Sequence, residues 1–380
     1  MKICAVICEY NPFHNGHAYQ LAEAKARSGA DALLCIMSGN FVQRGEAAIL
    51  NKFIRAKHAV MGGADAVIEL PTLFATANAE LFAKGAISIL SSIPNVTTLC
   101  FGSETADASL FYKAAQLLND EPKEVSEKIR SLISTGISYA KARAEAWKNI
   151  LPFEILNAPN NILGVEYTRS ILQKGANIEI LPIQRIGGGY SDKELNTEFS
   201  SASAIRNAIQ NGTTISEQLP LYVKTDLPKT IDNQLEILEK YAILLATNEE
   251  LKEISDCTEG LENAFKKAVT SPVDLIENLT STRYTASRIR RIALHSLLKI
   301  KESIIRESLS QPLYLRILAA KKTRSDLLTS LAESNSPLIV RKRDADILEG
   351  VAKSAYEIDL FAEKIHELLY KPVTVKNIFY

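Results

Sequence analysis

A short apolar run at the amino terminus gives way within a few residues to a helical pattern, and this switch strongly limits the fold. The run from Ile3 to Cys8 has the character of a buried strand, and the residues EYNPFHNGH and an Ala- and Leu-rich amphipathic stretch follow it. A helix that begins near Asn15 would point unpaired backbone N–H groups and the positive end of its dipole beyond the strand. Such a helix start attracts phosphate. The chain is therefore predicted to begin as a strand–turn–helix unit with an anion site at the turn.

Two histidines bracket a glycine in this turn. His14 and His17 are three residues apart, so they share one face of the first helical turn and can both donate hydrogen bonds to a phosphate under attack. Gly16 lets a ligand lie against the backbone, Pro12 has no N–H, and Asn11 can cap the helix or contact the ligand. For an arbitrary pair, capping or surface histidines would be the simpler interpretation. The order strand, proline, HxGH and helix favours a phosphate site in which His14 and His17 act in catalysis.

Apolar runs recur along the first half of the chain, with helical patterns between them. The further runs are Ala32 to Met37, Ala66 to Leu70, Val96 to Phe101 and Ile178 to Ile183. The helical stretches cover Leu21 to Ala30, Lys52 to Met61, Ala79 to Leu90, Leu110 to Leu118 and Ile162 to Leu172. This alternation predicts an α/β fold with a Rossmann-like, doubly wound parallel sheet. Ligands bind such sheets outside the carboxyl ends of the strands.

The second half of the chain has a different pattern. The segment LPLYVKTDLPKT, around Pro220 to Pro228, interrupts the alternation as a linker would, and a long helical pattern begins near Ile231. We therefore predict an α/β domain at 1–222 that is followed by a mainly α-helical domain at 223–380. A chain of 380 residues, 46% of them hydrophobic, is long enough for two cores.

Charge and cysteine content exclude several classes of protein. The chain has 44 basic and 44 acidic residues, so a polyanionic partner must be held by a local patch. The five cysteines are odd in number and four lie in apolar runs, which predicts reduced buried thiols without metal-ligand spacing. Neither a signal peptide nor an apolar stretch of membrane-spanning length is recognisable. We expect a cytoplasmic protein with no membrane partner and no metal ligands of its own, and the oligomeric state is left open.

Polar residues follow the predicted strands and are candidates for the ligand site. SGNFVQRGE follows the second strand, Gly102 the fourth, and Arg185 with Ile186 the fifth. Each of these segments could equally be an ordinary surface turn, since glycine and serine mark turns anyway.

Two predicted helix starts add further candidates. Asn160 and Asn161 begin one helix, where their amides could contact a base edge or a ribose, although a double N-cap is as plausible. Ser201 and Arg206, within FSSASAIR, place hydroxyls and a guanidinium at another helix start, which suits the β and γ groups of a triphosphate. Taken alone, this second segment would be a plain N-cap with a solvated arginine.

A basic segment lies in the predicted helical domain. From Leu279 to Lys301 there are six basic residues and no acidic one, a composition that fits contact with a polyanion. We predict RNA contacts from these residues, with an aromatic ring that can stack on an unpaired base: Arg283, Tyr284, Arg288, Arg291 and Lys299. Arg288, Arg291, His295 and Lys299 would share one helical face. The alternative is a solvated basic face on a bundle helix, with Tyr284 in the core.

Three more basic residues stand at the start of the helix predicted from residue 52. Lys52, Arg55 and Lys57 could meet a pyrophosphate or an RNA backbone, but an exposed basic helix face is as probable.

Together these motifs resemble one enzyme family. The runs EYNPFHNGH, SGNFVQRGE, IELP, FGSE, PNNILG and SSASAIR occur in the order seen in bacterial tRNA(Met) cytidine acetate ligases, which have the HIGH-type nucleotidyltransferase fold. The resemblance is dense over roughly residues 1 to 210, resumes from Lys266 to Arg291, and is looser near the end. FSSASAIR matches the second signature of that superfamily, where many members carry ISSTxIR.

The resemblance implies a two-step reaction. ATP and acetate form acetyl-adenylate, and the acetyl group passes to the wobble cytidine of elongator tRNA(Met), giving N4-acetylcytidine. It also implies Mg²⁺ on the triphosphate. Arg206 would join the two histidines in catalysis. The ATP site would comprise Ile7, Cys8, Glu9, Tyr10, Asn11, Pro12, Phe13, His14, Asn15, Gly16, His17, Ala18, Tyr19, Gln20, Gly102, Asn160 or Asn161, Arg185, Ile186 and Ser201.

Two other functions fit parts of the pattern. A small-molecule nucleotidyltransferase of cofactor synthesis would use the same HxGH and helix-start signatures, but it leaves the basic helical segment without a role. A non-catalytic RNA-binding protein could keep ATP as a structural ligand. The joint presence of His14, Gly16, His17, Ser201 and Arg206 argues against that third function, because a site without chemistry has no physical need of the whole set.

Overall fold

The structure is a computed structural model that describes residues 1–136, 139–186, 195, 199–215, 217–231, 234–370, 372 and 377–380. In these ranges the strands are β1 (Ile3–Cys8), β2 (Ala32–Ser38), β3 (Ala66–Leu70), β4 (Val96–Ser103), β5 (Glu179–Gln184), β6 (Leu315–Ala320) and β7 (Leu338–Ile339).

The helices before the predicted linker are α1 (Asn15–Ser28), α2 (Lys52–Met61), α3 (Thr72–Ala75), α4 (Ala79–Ser92), α5 (Ala108–Asn119), α6 (Lys123–Ser134), α7 (Tyr139–Trp147), α8 (Phe153–Asn157), α9 (Pro159–Lys174) and α10 (Ala202–Gln210). Those within or after it are α11 (Leu221–Lys224), α12 (Leu235–Leu245), α13 (Asn248–Lys252), α14 (Leu261–Ala268), α15 (Leu275–Leu279), α16 (Ala286–Leu298), α17 (Glu302–Ser308), α18 (Ser325–Ala332) and α19 (Gly350–Leu369). A 3₁₀ helix covers Lys342–Ile347.

One seven-stranded sheet, in the order β5-β4-β1-β2-β3-β6-β7, forms the centre of the molecule. Strands β1 to β5 run parallel to one another. The chain winds outward from β1 through β2 to β3 and then returns to β4 on the other side of β1. The topological switch point therefore lies between β1 and β4, where a ligand crevice is expected. The predicted α/β fold with a doubly wound parallel sheet is confirmed.

Both faces of the sheet are covered, which explains why its strands are apolar throughout. In β1, Ile3, Ala5 and Ile7 belong to a large apolar cluster that includes α3, α4, α5, α9 and α19. Cys4, Val6 and Cys8 belong to a second cluster on the opposite face, with α1, α2 and α10. All five cysteines are buried and unpaired, as predicted from their positions.

The carboxy-terminal part of the chain returns to the sheet. Strand β6 pairs with β3 in antiparallel orientation, and β7 pairs with β6. The part of the chain from 223 to 380 is mainly helical, as predicted, but it also supplies these two strands to the sheet. The sequence of β6, LRILAA, does not indicate which strand it pairs with. Its antiparallel pairing with β3 is a contact between parts of the chain that are distant in sequence.

Helices α12 to α16 form a separate helical unit. They enclose an apolar cluster of their own, with members from Ile243 to Ala293. Helix α16 joins this cluster to the sheet domain, since its carboxy-terminal residues Leu294, Leu297 and Leu298 pack in the large sheet cluster. The helical unit is therefore inserted between α11 and β6.

The predicted linker around Pro220 to Pro228 packs against the sheet domain. Val223 on α11 is fully buried in the second apolar cluster. The side chain of Asp226 accepts a hydrogen bond of 2.8 Å from Nε2 of the buried His58.

No helix in the described ranges has the length and apolar character needed to cross a membrane.

Candidate active site

A cleft opens at the carboxyl ends of β1, β4 and β5. Most of the predicted ATP-site residues line this cleft or a smaller neighbouring cavity: Ile7, Cys8, Glu9, Tyr10, Asn11, His14, Gly16, His17, Tyr19, Gln20, Gly102, Asn160, Arg185, Ile186 and Ser201. Arg206 lines the cleft as well. Pro12, Phe13, Asn15, Ala18 and Asn161 line neither cavity, although they support residues that do.

The two motif histidines lie stacked at the start of α1. Their ring centroids are 3.6 Å apart and the planes are inclined by 24°. The backbone N–H of His14 donates to Nδ1 of His17 over 3.3 Å. Because that Nδ1 is an acceptor, a neutral His17 ring carries its proton on Nε2. The buried Nδ1 of His14 has no hydrogen-bond partner among the described residues. The pair therefore has hydrogen-bonding capacity available to a ligand.

Both rings are neutral at physiological pH. Burial lowers the pKa of His14 to about 3, and the nearby Arg185 adds to the effect. The pKa of His17 is lowered well below its ordinary value by burial and then by His14 and Arg185. Neutral imidazoles can donate N–H groups to a phosphate without the charge of an imidazolium. The site is thus suited to stabilising charge that develops on a ligand.

Gly16 is required by the position of His14. A Cβ at residue 16 would lie 2.9 Å from Cε1 and 3.1 Å from Nδ1 of the His14 ring. Contacts this short do not occur between non-bonded side chains, so a larger residue would displace the ring. The glycine between the two histidines therefore keeps the pair in place.

Arg206 reaches the cleft from the amino-terminal half of α10. Its Nη1 donates to the backbone oxygen of Asn11 over 2.8 Å, and its Nη2 lies 3.3 Å from Oε2 of Glu46. Glu46 also pairs with Arg290 of α16 over 3.4 Å. Ser201 caps α10, since its Oγ accepts from the N–H of Ala204. The helix predicted from FSSASAIR is therefore α10, and its Arg206 contacts the turn before α1.

The two adjacent asparagines have different environments. Asn160 lines the cleft and donates from its Nδ2 to Glu104 over 2.6 Å. Asn161 is fully buried, with Oδ1 accepting from the N–H groups of Glu104 and Thr105 and Nδ2 donating to Thr105 and to the backbone oxygen of Glu154. The prediction left the choice open, and the geometry favours Asn160 as the ligand contact.

Several cleft residues were not named individually as ligand contacts in the sequence analysis, although some lie in its candidate segments SGNFVQRGE and FSSASAIR. These are Val42, Gln43, Arg44 and Glu46 from the loop after β2, Phe82 from α4, Phe101 from β4, Leu163 and Tyr167 from α9, and Ala202 and Ser203 at the start of α10. The loop was noted as SGNFVQRGE but no role was assigned to its side chains. The aromatic residues carry no local signal, because helices and strands of any core contain such side chains.

Two of the three basic residues of α2 are structural. Arg55 is fully buried and donates to the backbone oxygens of Glu9, Ser38, Gly39 and Leu50. Lys52 is buried between Glu69 and Glu363. These contacts fix the ends of β1 and β2, so neither residue forms the exposed basic face that was considered.

The basic face predicted on α16 is largely turned inward. Arg288 donates to the backbone oxygen of Asp256 from Nε and Nη2, over 3.0 and 2.8 Å. Arg291 pairs with Oδ2 of Asp256 over 3.0 Å. His295 is buried and hydrogen-bonded to Oγ1 of Thr76, which corrects the prediction that all these residues share an exposed face. Hydrophobic packing on two sides of α16 leaves little of the helix exposed.

The other predicted RNA-contact residues are more accessible. The Arg283 side chain is 63% exposed and pairs with Glu259 over 3.1 Å. Its guanidinium lies 5.5 Å from the ring centre of Tyr284, and that of Arg288 lies 5.2 Å from the same ring. Lys299 is exposed at the end of α16. Arg283 and Lys299 are therefore exposed basic side chains that lie before and after α16.

Comparison with known proteins agrees with this geometry. The profile of the HIGH Nucleotidyl Transferase family matches residues 1–378. A tRNA(Met) cytidine acetate ligase of Caldicellulosiruptor saccharolyticus is 39% identical over 98% of this chain and 95% of its own length. The enzyme of the same name from Clostridium perfringens is 36% identical over 99% of this chain and 98% of its own length.

Solved structures show the same likeness. The apo crystal structure of Thermotoga maritima TmcAL is 30% identical in sequence, with a TM-score of 0.89 over 98% of this chain and 96% of that one. The structure of the same protein bound with alpha-thio ATP has a TM-score of 0.85 over the same shares. The chain therefore belongs to the HIGH nucleotidyl transferase family and, within it, to the tRNA(Met) cytidine acetate ligases.

Proposed function

We propose that this protein uses ATP to activate acetate as acetyl-adenylate and transfers the acetyl group to the wobble cytidine of elongator tRNA(Met). The product is N4-acetylcytidine, and the enzyme is an ATP-dependent carbon–nitrogen ligase that acts in the cytoplasm. The observation that carries the proposal is the stacked, neutral His14–His17 pair in a cleft at the sheet switch point. The relatives that share this chain's full length support the choice of reaction.

In the first step an oxygen of acetate attacks the α-phosphorus of ATP, and the bond from that phosphorus to pyrophosphate breaks. His14 and His17 donate hydrogen bonds to the α-phosphate as its charge develops. Arg206 and the amino terminus of α10 bind the outgoing pyrophosphate. Acetate is already a nucleophile, so positioning and charge stabilisation are the main requirements.

Mg²⁺ is part of the proposal as an ion carried by the triphosphate. The described residues contain no group of three or more His, Cys, Asp or Glu side chains that could hold a metal. Glu46, a carboxylate in the cleft, is paired with Arg206 and Arg290.

In the second step the tRNA binds across the helical unit so that its wobble base reaches the cleft. Arg283, Tyr284 and Lys299 are the members of the predicted RNA-binding set best placed for this contact. Arg288 and Arg291 support the surface by fixing the turn at Asp256. Loss of a phosphate contact weakens RNA binding and reduces its salt dependence.

The test is incubation of the protein with ATP, Mg²⁺, labelled acetate and unmodified elongator tRNA(Met), followed by mass spectrometry of the nucleosides. We expect labelled N4-acetylcytidine, and at least tenfold less of it with His17→Ala. The matched control variant is His366→Gln, which replaces a buried histidine outside the cleft that is hydrogen-bonded to the backbone oxygen of Ala48 over 2.8 Å.

A second control uses the same tRNA with uridine at the wobble position, which has no exocyclic amine. Label in that RNA would show that the acceptor is wrong. No label in either RNA, together with ATP–pyrophosphate exchange that does not need acetate, would indicate a nucleotidyltransferase acting on a different substrate.

A further inference from the structure

The cleft and the smaller cavity meet at the histidine pair. They share the residues His14, His17, Gln20, Gly102, Arg185 and Ser201. The smaller cavity continues from there past Tyr19, Ile186 and Phe199, while the cleft continues in the other direction past Glu9 and Tyr167. If the α-phosphate of a nucleotide lies at the histidines, its nucleoside can extend into only one of the two cavities. The other cavity remains for the acyl group and its acceptor.

The cleft beyond the histidines has an aromatic wall. Ring centroids of Phe101 and Tyr167 are 5.8 Å apart, and those of Phe82 and Tyr167 are 6.4 Å apart. Leu163 lines the same cleft and Ile7 contributes to its floor. Aromatic and aliphatic side chains of this kind accept a methyl group and the face of a planar base.

One carboxylate lies in this part of the cleft. Oε1 of Glu9 accepts a hydrogen bond of 2.7 Å from the backbone N–H of Gln43, which fixes the side chain just after β1. Burial raises the pKa of Glu9, and the charge of Glu46 acts in the same direction. The N–H of Gln43, Arg206 and Arg55 lower it in part. The Tyr167 hydroxyl and the Cys8 thiol are the other titratable groups near this carboxylate.

We infer that this aromatic part of the cleft, lined by Phe82, Phe101, Leu163 and Tyr167, binds the acetyl methyl group and the acceptor cytosine ring, and that Glu9 takes the proton from the exocyclic amine during transfer. The inference rests on the proposed function and adds to it the acceptor site and a catalytic residue for the second step.

The transfer step balances as follows. The amine nitrogen attacks the acetyl carbon of acetyl-adenylate and forms the new N–C bond. The bond from that carbon to the phosphate oxygen breaks, and AMP leaves with the electron pair. One proton of the amine moves to the Glu9 carboxylate and then to solvent. A base in this position is needed because the amine of cytosine is a weak nucleophile until its proton is removed.

The experiment compares Glu9→Gln with the unaltered protein in two assays. Glutamine keeps an oxygen that can accept from Gln43 but is not a base. The first assay is acetate-dependent ATP–pyrophosphate exchange, and the second is single-turnover transfer from supplied acetyl-adenylate to unmodified tRNA. We expect transfer to fall at least about 100 times more than exchange, within the range of a general base. An equal fall in both assays would overturn the role of Glu9.

The pH profile gives a second measurement that a structural role would not change. Transfer by the unaltered protein should lose rate on the acid side as Glu9 becomes protonated, and Glu9→Gln should lack this limb. Tyr167→Leu removes a ring from the wall while keeping it apolar, and it should raise the tRNA concentration needed for half-maximal transfer at least fivefold. An unchanged profile, or unchanged tRNA dependence in Tyr167→Leu, would count against the proposed acceptor site.

The same two assays distinguish a wrong reaction from a wrong acceptor site. If the unaltered protein neither exchanges pyrophosphate in response to acetate nor transfers from acetyl-adenylate, the reaction itself is wrong and the inference falls with it. If the unaltered protein does both and the Glu9 and Tyr167 variants match it, the reaction stands and only the acceptor site is wrong.

Discussion

The histidine pair of the α1 turn and two arginines of α16, Arg288 and Arg291, are all buried or half-buried, yet they differ in what their polar atoms contact. Nδ1 of His14 has no partner among the described residues, and the pair lines a cleft. Arg288 and Arg291 donate to Asp256 at the turn before α14. Nε of Arg291 also has no partner among the described residues, so an unsatisfied polar atom does not by itself separate the two regions. The difference is that the histidines line a cleft, whereas the two arginines donate to groups inside the protein.

Asp256 shows how extensive that structural role is. Its Oδ1 accepts from Nδ2 of Asn78, the residue that caps α4 in the sheet domain. Its Oδ2 pairs with Arg291 of the helical unit. Through Asp256, Arg291 thus contributes to a contact between the helical unit and the sheet domain. The histidines of the α1 turn and the arginines of α16 therefore differ in the elements that surround them, and not only in their charge.

The largest effect is expected for His17→Ala. Removing one preorganised donor from a developing charge lowers the rate by about 100-fold or more, or about 3 kcal/mol. Acetate-dependent ATP–pyrophosphate exchange measures this loss. His17→Gln retains an N–H donor and should recover part of the rate. A fully active His17→Ala variant would remove the distinction between the two regions.

Arg291→Met should act on stability. It leaves the Asp256 carboxylate without its main cationic partner, and we expect a loss of about 2–3 kcal/mol in the free energy of unfolding, since breaking a largely buried ion pair is costly. Arg283→Met is the matched control, because its pair with Glu259 is exposed to solvent and should contribute little to stability. Urea unfolding measures both variants. Unchanged stability of Arg291→Met with weakened tRNA binding would show that Arg291 is an RNA contact after all.

The histidines predict a loss of stability in acid. Burial lowers the pKa of all five, and for His295 and His366 the value falls from 6.5 to about 4. A group whose pKa is depressed in the folded state binds protons more weakly there than in the unfolded chain. Its stabilising contribution is therefore complete above pH 6.5 and declines as the pH falls toward about 4.

For His295 the loss between pH 6.5 and about pH 5 is about 2 kcal/mol, at 1.36 kcal/mol for each unit. Urea unfolding at these two pH values measures it. His295→Gln should show a smaller acid loss than the unaltered protein, because glutamine does not titrate. An equal loss would mean that His295 is not responsible.

A smaller effect is expected at the contact between the loop after β2 and α16. Gly45 has φ +75°, and a Cβ there would lie 2.7 Å from the backbone carbon of Arg290 and the backbone nitrogen of Arg291. Gly136 has φ +87° with nothing within 4 Å of a Cβ, so it provides the matched control. Gly136→Ala should cost about 1 kcal/mol from backbone strain alone, and Gly45→Ala about 1–2 kcal/mol more. Thermal unfolding compares them, and equal losses would mean that the loop does not press on the helix.

Much of the fold was predictable because local patterns dictate it. Each apolar run in the first half is a strand buried on both faces, and the helical stretches between them fix the connections. The turn EYNPFHNGH joins β1 to α1 as expected. Its proline, glycine and histidines are close in sequence, so their effect on the turn is local. Ser201 caps α10 for the same local reason.

Other features could not be predicted from local patterns. Strand β6 follows the helical unit in sequence but pairs with β3, a contact between residues about 250 positions apart. The aromatic wall of the cleft combines Phe82, Phe101 and Tyr167 from three elements. Lys52 and Arg55 look like surface cations in sequence, and only the charged and carbonyl oxygens around them make burial favourable.

The sequence by itself determined the parallel sheet, the strand–turn–helix unit at residues 3–28 and the pair of histidines at its turn, because period, capping and glycine placement act between neighbours in the chain. The tertiary structure alone decided which basic residues are buried in ion pairs, which aromatic side chains line the cleft and where the carboxy-terminal segment pairs. These outcomes depend on burial and on partners that distant elements provide, and no local pattern encodes such partners.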